Sequence, residues 1–315
     1  MNKIFLAALL FVSLLTLATP TKAEQGSIAA LISDTSNPYW KTLENGLRDT
    51  AKTLGIQIDI SAIQSASDAE GQLNHCESAL LKNPKAIIFA AVDAVNLGSC
   101  LRKADAKGIA LIDIDGNVDQ QRAEKMGVHV AFSVASNNVQ LGKKAASYLT
   151  GQKGKILVIE GMSGSQPGIL RVKGFKDNLD KGLTIVASQG ADWDRLKAAD
   201  IVSRIVTQHP DLSFIFAAND TMALGAVEAL RAANINTVKV VGIDGSTDAI
   251  KAIKEGRLTA SIAQLPYLMA KEALEKASQY IKDRKPLSFE QYVPILTLDK
   301  AVFEKNNEAL LQYVR

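Results

Sequence analysis

The chain has 315 residues, of which 36 are Lys or Arg and 33 are Asp or Glu, so its formal net charge is +3. A charge this close to zero argues against nucleic acid or an anionic membrane surface as the main partner. Hydrophobic residues make up 47% of the chain, and a chain of this length can form two hydrophobic cores of about 150 residues each.

The first 23 residues have the composition of a secretory signal peptide. Lys3 precedes an apolar run at 4–17, and the segment ends at the small residue Ala23. The run is too short to span a bilayer comfortably. We therefore predict cleavage after Ala23 and export of a soluble protein to the periplasm, with retention as a membrane anchor as the alternative. Cleavage would remove two lysines and no acid, which lowers the net charge from +3 to +1.

Apolar strands and amphipathic helices alternate from the start of the mature chain. The run Ile28–Ile32 predicts a strand, and the helix after it is predicted to be capped by Asn37, opened by Pro38 and ended by Gly55. The later elements of this half are strands at 56–60, 86–90 and 109–115, helices at 68–81 and 95–106, and an apolar segment at 128–134. This alternation is typical of a doubly wound parallel sheet.

After residues 136–138 the alternation begins again. The predicted strands are 155–159, 183–188, 214–217, 238–243 and 258–263, and the predicted helices are 139–150, 169–179, 194–209, 221–233 and 266–282. A single strand-like segment follows at 292–298. No shift in composition and no Pro/Gly-rich linker separates the two sets. We therefore predict two similar α/β lobes that face one another across a hinge.

Polar residues follow the predicted strands at their carboxyl ends. They are Ser33, Asn37, Asp93, Asp115, Ser136, Asn219, Asp220, Asp244 and Gln264. In open α/β sheets the carboxyl edge is where ligands bind. Ionised carboxylates accept hydrogen bonds and amides both donate and accept them. Together with the aromatic residues Tyr39, Trp40 and Trp193, such a set suits a neutral polyhydroxylated ligand.

Helix capping is the competing explanation for these Asp and Asn residues. We predict capping for Asp220, which directly precedes a helix. For Asp115 and Asp244, each of which stands between an apolar strand and a glycine, we predict ligand contact. For Tyr39 and Trp40 the alternative is that the rings only pack a loop.

Other chemistries lack a matching motif. The three histidines share no metal-ligand spacing. The segment 113–124 resembles a calcium loop, but Gly116 comes two places too early and Val118 takes the position that needs glycine. The glycine-rich loop 161–168 lacks the Lys-Ser/Thr pair of a phosphate loop, and no dinucleotide fingerprint or nucleophile elbow occurs. We therefore predict no metal, no cofactor and no enzymatic activity.

Cys76 and Cys100 are the only cysteines. Both fall on predicted neighbouring helices, and an oxidising compartment favours a disulfide between them. Two buried free thiols are the alternative, and the sequence leaves both open.

Five ordered motifs resemble the ribose/allose branch of the type I periplasmic sugar-binding proteins. They are Asn37-Pro38-Tyr39-Trp40 and the segments 191–195 (Ala-Asp-Trp-Asp-Arg), 218–225 (Ala-Asn-Asp-Thr-Met-Ala-Leu-Gly), 242–245 (Gly-Ile-Asp-Gly) and 262–266 (Ile-Ala-Gln-Leu-Pro). The resemblance implies two lobes joined by three crossing strands and closing around one monosaccharide. It implies an N-terminal lobe of 24–136 plus 265–293 and a C-terminal lobe of 137–264 plus 294–315.

Matched motif by motif, the resemblance also implies a set of ligand-binding residues. They are Ser33, Asn37, Tyr39, Trp40, Asp115, Ser136, Arg171, Trp193, Asn219, Asp244 and Gln264. Arg171 enters only through the resemblance, since by itself it would pass as a surface charge on a helix. Ser33, Ala90, Gly116 and Asn137 depart from the residues that ribose or allose binders carry. The sugar is therefore open, and a related ketose or sugar alcohol is possible.

The resemblance further implies the partners. A monomeric binding protein of this kind delivers its sugar to a membrane ABC permease. The alternative is a sensing subunit that reports the ligand to a chemoreceptor or a sensor kinase. A repressor's effector domain would need a DNA-binding helix pair at the N-terminus, and the secretory segment occupies that place.

Overall fold

Residues 27–93, 95–306 and 308–314 are described by a computed structural model, and they form two six-stranded sheets flanked by helices. The predicted cleavage after Ala23 lies outside these residues. Within the described ranges, no helix is both long enough and apolar enough to span a bilayer.

The first sheet is parallel throughout. Its strands are β1 (Ile28–Ile32), β2 (Ile58–Ala62), β3 (Ala86–Phe89), β4 (Ala110–Ile114), β5 (Val130–Ser136) and, from the end of the chain, β11 (Glu290–Val293). They lie in the order β11-β5-β4-β3-β1-β2. The helices between them are α1 (Pro38–Leu54), α2 (Ala69–Leu81), α3 (Gly98–Ala106) and α4 (Gln120–Met126). The order reverses at β1, so the sheet is doubly wound as predicted.

The second sheet repeats this arrangement. Its strands are β6 (Gly154–Glu160), β7 (Leu183–Gly190), β8 (Leu212–Ala217), β9 (Lys239–Asp244), β10 (Ala260–Ala263) and β12 (Leu296–Asp299), in the order β12-β10-β9-β8-β6-β7. Only β12 is antiparallel to its neighbour. The helices that follow β5 along the chain are α5 (Asn138–Tyr148), α6 (Gln166–Asp177), α7 (Arg195–Gln208), α8 (Asp220–Ala232), α9 (Thr247–Lys254), α10 (Pro266–Asp283) and α11 (Lys300–Lys305), and a 3-10 helix comes last at Ala309–Tyr313.

Strand β1 is buried on both faces. Its alternate residues Ile28, Ala30 and Ile32 belong to one hydrophobic cluster, and Ala29 and Leu31 belong to another. A strand that is covered by helices on both sides needs apolar residues at every position, which explains its unbroken apolar run.

The sequence predicted how α1 begins and ends. The Asn37 side chain accepts a hydrogen bond of 3.0 Å from the Tyr39 amide, and Pro38 occupies the first helical position. Gly55 ends the helix in the left-handed conformation, with φ of 65°, where glycine lacks the steric penalty of other residues. Tyr39 and Trp40 therefore lie in the first turn, at the carboxyl edge of the sheet.

The chain crosses between the lobes three times, at 136–138, 264–266 and 293–296, so the two lobes share a three-stranded hinge. After the second crossing, α10 returns to pack on α1 of the first lobe. The two-lobed fold is confirmed. The proposed lobe boundaries stay a prediction, which the positions of these crossings support.

Some elements differ from expectation. Helices α4 and α11 and the 3-10 helix were not predicted, and the predicted single strand 292–298 is two strands in different sheets. Pro294 lies between these strands, and proline cannot donate the hydrogen bond that a continuous ladder would need there.

Cys76 of α2 and Cys100 of α3 are joined in a disulfide, and both residues are fully buried. The bond links two helices of the first lobe that pack against each other.

Candidate functional site

A cleft of about 670 Å³ opens between the carboxyl edges of the two sheets. Ten of the eleven predicted ligand-binding residues line it: Ser33, Asn37, Tyr39, Trp40, Asp115, Arg171, Trp193, Asn219, Asp244 and Gln264. The volume lies within the usual range for small-molecule sites. Both lobes contribute to the lining, because each sheet ends in polar loops that face the other.

Ser136 is the exception, since the structure places it outside the lining. It is 1% exposed at the first crossing, and its hydroxyl donates to the main-chain oxygen of Gln264, at 3.3 Å. Gln264 stands at the second crossing. Ser136 therefore ties two hinge segments together, and a role for it in ligand binding stays a prediction. Strand position alone could not separate these two roles.

Asp115 lies in a tight turn after β4. It has a φ of 75°, and the next residue, Gly116, has a φ of 81°. The buried carboxylate of Asp113 holds this turn, because it accepts hydrogen bonds from the Gly116 amide at 3.1 Å and the Val118 amide at 3.2 Å. These bonds present Asp115 to the cleft. Among the described residues no group of three or more His, Cys, Asp or Glu is placed to hold a metal ion.

Tyr39 orients the carboxylate of Asp115. Its hydroxyl donates to Asp115 Oδ1 at 2.7 Å, and both side chains are buried. Burial, followed by the negative charge of Asp115, raises the pKa of Tyr39 well above its usual value. Burial also raises the pKa of Asp115, while the positive charge of Arg171 opposes that rise. Tyr39 is thus a neutral hydrogen-bond donor in a fixed position. Its hydroxyl occupies only Oδ1 of Asp115.

The second lobe repeats this design around Asp244. Asp244 has a φ of 136° and Gly245 a φ of 75°. The Gly245 amide donates to the hydroxyl of Ser261 at 3.0 Å, and that hydroxyl donates to Asp220 Oδ1 at 2.7 Å. Asp220 also accepts from the Ser246 amide, at 2.8 Å. Asp220 therefore holds the turn at Asp244, as Asp113 holds the turn at Asp115.

The predicted capping role of Asp220 is wrong. The preceding residue, Asn219, caps α8 by accepting a 2.9 Å hydrogen bond from the Met222 amide. Asp220 occupies the first helical position, where its side chain turns into the protein and is fully buried. Asn219 and Asp220 are both residue types that cap helices. Which of them caps α8 depends on where the backbone becomes helical, and the sequence alone does not show this.

Arg171 is the buried cation of the site. Its guanidinium donates to Asn138 Oδ1 and to the Ala218 main-chain oxygen, both at 2.9 Å, and lies 3.4 Å from Asp244 Oδ1. Burial raises the pKa of Asp244, and the positive charge of Arg171 partly offsets this rise. Asp244 also accepts a 2.6 Å hydrogen bond from the Gln264 amide group.

Gln264 leaves an acceptor without a partner. Its Oε1 and His75 Nδ1 are the only buried side-chain polar atoms in the described part of the chain that make no hydrogen bond. Buried polar groups are nearly always paired in folded proteins. Since Gln264 lines the cleft, its free oxygen is placed to accept a hydrogen bond from a bound ligand.

Aromatic rings stand on both sides of the cleft. Trp40 belongs to the first lobe, where it packs edge-on against Tyr39 at 5.0 Å, and Trp193 belongs to the second. Trp193 occupies a slot made by the glycine-rich loop, because a Cβ on Gly161 would come within 2.2 Å of its ring. The Arg171 guanidinium carbon lies 5.7 Å from the centre of that ring. Gly161 thus makes room for the Trp193 ring.

Sequence reasoning missed several residues at the site. Asn138 holds Arg171 from the start of α5, and Asn117 lines the cleft beside Asp115. Other unpredicted lining residues include Met162, Pro167, Asp192, Thr221, Ser246 and Asp248. Asp192 and Thr221 lie within two of the quoted motifs, and the other residues had no sequence signal beyond their place after a strand. Asp93 has the same position, yet its carboxylate accepts from the Val95 and Asn96 amides of its own turn and does not line the cleft.

Comparison with known proteins agrees with this geometry. Residues 28–285 match a family model described as a periplasmic binding protein domain. The D-allose-binding periplasmic protein of Escherichia coli (strain K12) is 38% identical over 245 residues, covering 76% of this chain and 79% of that protein. The ribose import binding protein RbsB of Bacillus subtilis (strain 168) is 30% identical over 262 residues, covering 82% and 83%.

A solved structure with a bound sugar is similar over nearly its whole length. It is an ABC transporter periplasmic solute-binding protein from Actinobacillus succinogenes 130z with bound D-allose, 31% identical with a TM-score of 0.84, and the match covers 89% of this chain and 99% of that one. Two sheets with a shared hinge, a cleft lined from both lobes and a family match over most of the chain lead to one conclusion. The chain belongs to the periplasmic binding protein family.

Proposed function

We propose that this protein binds a neutral monosaccharide in the cleft by closure of its lobes and delivers it to an ABC permease. The sugar is of the ribose or allose type, or a related ketose or polyol. The observation that carries the proposal is the paired arrangement of Asp115 and Asp244, one from each lobe, with the unpartnered oxygen of Gln264 beside them.

The chemistry of the lining suits hydroxyl groups. Buried carboxylate oxygens accept hydrogen bonds from sugar hydroxyls, and Arg171 and the Asn219 amide can donate to sugar oxygens. The apolar faces of Trp40 and Trp193 suit the C–H faces of a sugar ring. Each of the cleft cations Arg171, Arg195 and Lys197 already has an acidic partner. A charged ligand would therefore bury a charge without a partner, which is costly.

Lobe closure explains how binding is reported to a transporter. A ligand shifts a two-state equilibrium only through interactions that differ between the states. Contacts to Asp115 on one lobe and Asp244 on the other exist together only when the cleft is closed. The closed form is therefore the form that a bound sugar favours, by the hinge motion common to two-lobed binding proteins.

The expected affinity can be bounded. A micromolar dissociation constant corresponds to about −8 kcal/mol. Hydrogen bonds to charged groups contribute about 1.5–3 kcal/mol each. Several such bonds, reduced by the cost of ordering the lobes and the sugar, supply a free energy of this size.

A panel of pentoses, hexoses, ketoses and polyols, screened by thermal shift and followed by calorimetry, tests the proposal. We expect at least one neutral sugar to raise the melting temperature and to bind with one-to-one stoichiometry. Sugar phosphates and sugar acids serve as charged controls, and they should not bind. If no neutral sugar in the panel stabilises the protein, the proposal is contradicted.

The transport role is supported by the relatives, since the Bacillus subtilis protein is named for ribose import. Deletion of the gene should abolish uptake of the bound sugar. Lost signalling with intact uptake would instead favour a sensing subunit that acts through a chemoreceptor or sensor kinase.

Three further parts of the proposal follow from a transport role. The mature protein is exported to the periplasm, it is a monomer, and it binds sugar without turning it over. Mass spectrometry of the exported protein should show an N-terminus at Glu24. Analytical ultracentrifugation should give a single species of monomer mass. Incubation with the bound sugar should leave the sugar chemically unchanged.

A further inference from the structure

Helix α6 begins at the rim of the cleft and carries Arg171. The residue before it, Ser165, makes no capping hydrogen bond with its side chain, and the second helical residue is Pro167. The first N–H groups of a helix have no partner within the helix. The amide of Gln166, the first helical residue, therefore needs a partner from elsewhere.

That partner comes from the other lobe. Asn117 Oδ1 accepts a hydrogen bond from the Gln166 amide at 3.3 Å, and Asn117 Nδ2 donates to the Ala91 main-chain oxygen at 2.7 Å. The Gln166 side chain makes a second bond across the gap, in which its Oε1 accepts from Arg122 Nη2 at 2.6 Å. Arg122 is in turn paired with Asp119, the residue that caps α4.

These contacts depend on the separation of the lobes. Asn117 and Arg122 follow β4 of the first sheet, and Gln166 follows β6 of the second. Hydrogen bonds of this length cannot survive opening of the cleft. The side chains of Arg122 and Gln166 are absent from the cleft lining, so this pair can favour closure without touching a ligand.

We propose that Asn117, Arg122 and Gln166 form an interlobe latch that sets the ratio of open to closed protein and, through it, sugar affinity and release. The Asn117 amide acts as the N-cap that α6 lacks, supplied by the opposite lobe. The consequence for sugar binding rests on the proposed function, whereas the effect on lobe opening does not. Arg122 and Gln166 are positioning residues, since they act through the arrangement of the lobes, whereas Asn117 also lines the cleft.

The latch acts on the populations of the open and closed forms of the protein. The apparent dissociation constant of a ligand equals its intrinsic constant divided by the fraction of binding-competent protein. A contact present only in the closed form lowers the free energy of that form alone. Loss of one hydrogen bond of ordinary strength should weaken apparent affinity about threefold to tenfold. The change should appear mainly in the release rate, because the sugar leaves through opening.

The test compares Arg122→Ala, Gln166→Ala, their double variant and Asn117→Ala. Arg257→Ala and Gln120→Ala are matched controls, because Arg257 bonds only Glu255 and Gln120 bonds Glu124, each within its own lobe. Small-angle X-ray scattering of sugar-free protein measures opening, and hydrogen exchange measures protection of the Gln166 amide. Calorimetry and stopped-flow with D-allose measure affinity and release.

We expect a larger radius of gyration, and faster release of D-allose, in the four latch variants than in the two controls. The double variant should bind D-allose no more weakly than either single variant, because Arg122 and Gln166 share one hydrogen bond and removing both partners loses it only once. Protection of the Gln166 amide should fall most in Asn117→Ala, which removes its acceptor directly, and less in Arg122→Ala, which acts only through opening.

The latch is overturned if the Arg122 and Gln166 variants match the controls in scattering, or if their effects on opening simply add. A fall in melting temperature with unchanged scattering and release would show a purely structural role. If wild-type protein binds no sugar at all, the proposed function fails, and scattering and amide exchange still decide whether the latch exists.

Discussion

Asp115 and Asp244 stand at equivalent places in the two lobes, and each is held by a second buried carboxylate, Asp113 or Asp220. A lone buried carboxylate is unfavourable. The protein keeps four of them near one cleft, which makes sense where a ligand supplies the remaining hydrogen-bond donors. At the scale of single residues, the site is a set of acceptors in need of hydroxyl groups.

The substitutions Asp115→Ala and Asp244→Ala should each weaken sugar binding at least about tenfold, the loss of one strong hydrogen bond to a buried carboxyl group. The fold should persist. The exposed ion-pair residues Asp59 and Asp211 provide controls, one from each lobe. Calorimetry showing unchanged affinity in both cleft variants would refute the assigned site.

The buried carboxyls should also make the stability of sugar-free protein depend on pH. Burial raises the pKa of Asp244 above its usual value, so the folded state holds a proton that the unfolded state has released. Stability from such a group is present at low pH and lost as pH rises through its folded pKa. From pH 5 to pH 8, we therefore expect Asp244→Asn to become more stable relative to wild type.

Chemical denaturation at several pH values measures this difference. Asp211→Asn is the control, because the pKa of Asp211 is lowered, chiefly by its hydrogen bond with Lys155. Its contribution is complete above pH 5. A stability difference between Asp244→Asn and wild type that stays constant over this range would contradict the expected titration.

At the scale of elements, the glycine-rich loop before α6 shapes the aromatic wall. Gly161→Ala should displace Trp193, since the new methyl group would overlap its ring. Aromatic contacts of this kind contribute about 0.5–1.5 kcal/mol, so affinity should fall about threefold to tenfold. Ligand-dependent tryptophan fluorescence should change with it.

Gly190→Ala is the matched control for this loop, because a Cβ there meets only the Gly161 oxygen at an ordinary 3.5 Å. Equal affinities of the two alanine variants would show that the slot for Trp193 is unimportant for binding.

The disulfide between α2 and α3 should stabilise the first lobe without affecting the site. Its residues are 24 apart in sequence and neither lines the cleft. Replacing both with alanine should cost about 2–4 kcal/mol in unfolding free energy, by the loss of a constraint on the unfolded chain. Urea denaturation measures the cost and calorimetry the affinity. Unchanged stability, or a loss of sugar affinity, would contradict this assignment.

Most strands and helices could be predicted from sequence because buried parallel strands are unbroken apolar runs, as in Ile28–Ile32. Helix α4 was missed, although Asp119 and Gly127 mark its two ends. It is only seven residues long, and its first residues overlap the segment that was weighed as a calcium loop. The split at Pro294 was missed because each flanking strand has only four residues, and apolar residues stand on both sides of the proline.

The site was predictable only in part, for a physical reason. Asp115 and Asp244 interrupt apolar strands, which is a local signal. The roles of Asn117 and Asn138 depend on a partner far away in the chain, which no local pattern encodes. Ser136 followed a strand like the lining residues, but the hinge buries it.

At the scale of the whole molecule, the three crossings allow the lobes to move as units, and the cleft residues divide between them. Tyr39, Trp40 and Asp115 move with the first lobe, and Arg171 and Asp244 with the second. The central claim is that one neutral sugar is held by both sets at once.

A crystal structure with the best-binding sugar of the panel tests this claim most directly. The account predicts the sugar between Trp40 and Trp193, with hydroxyl groups within hydrogen-bonding distance of both Asp115 and Asp244. A sugar bound outside the cleft, or held by the residues of one lobe alone, would contradict it.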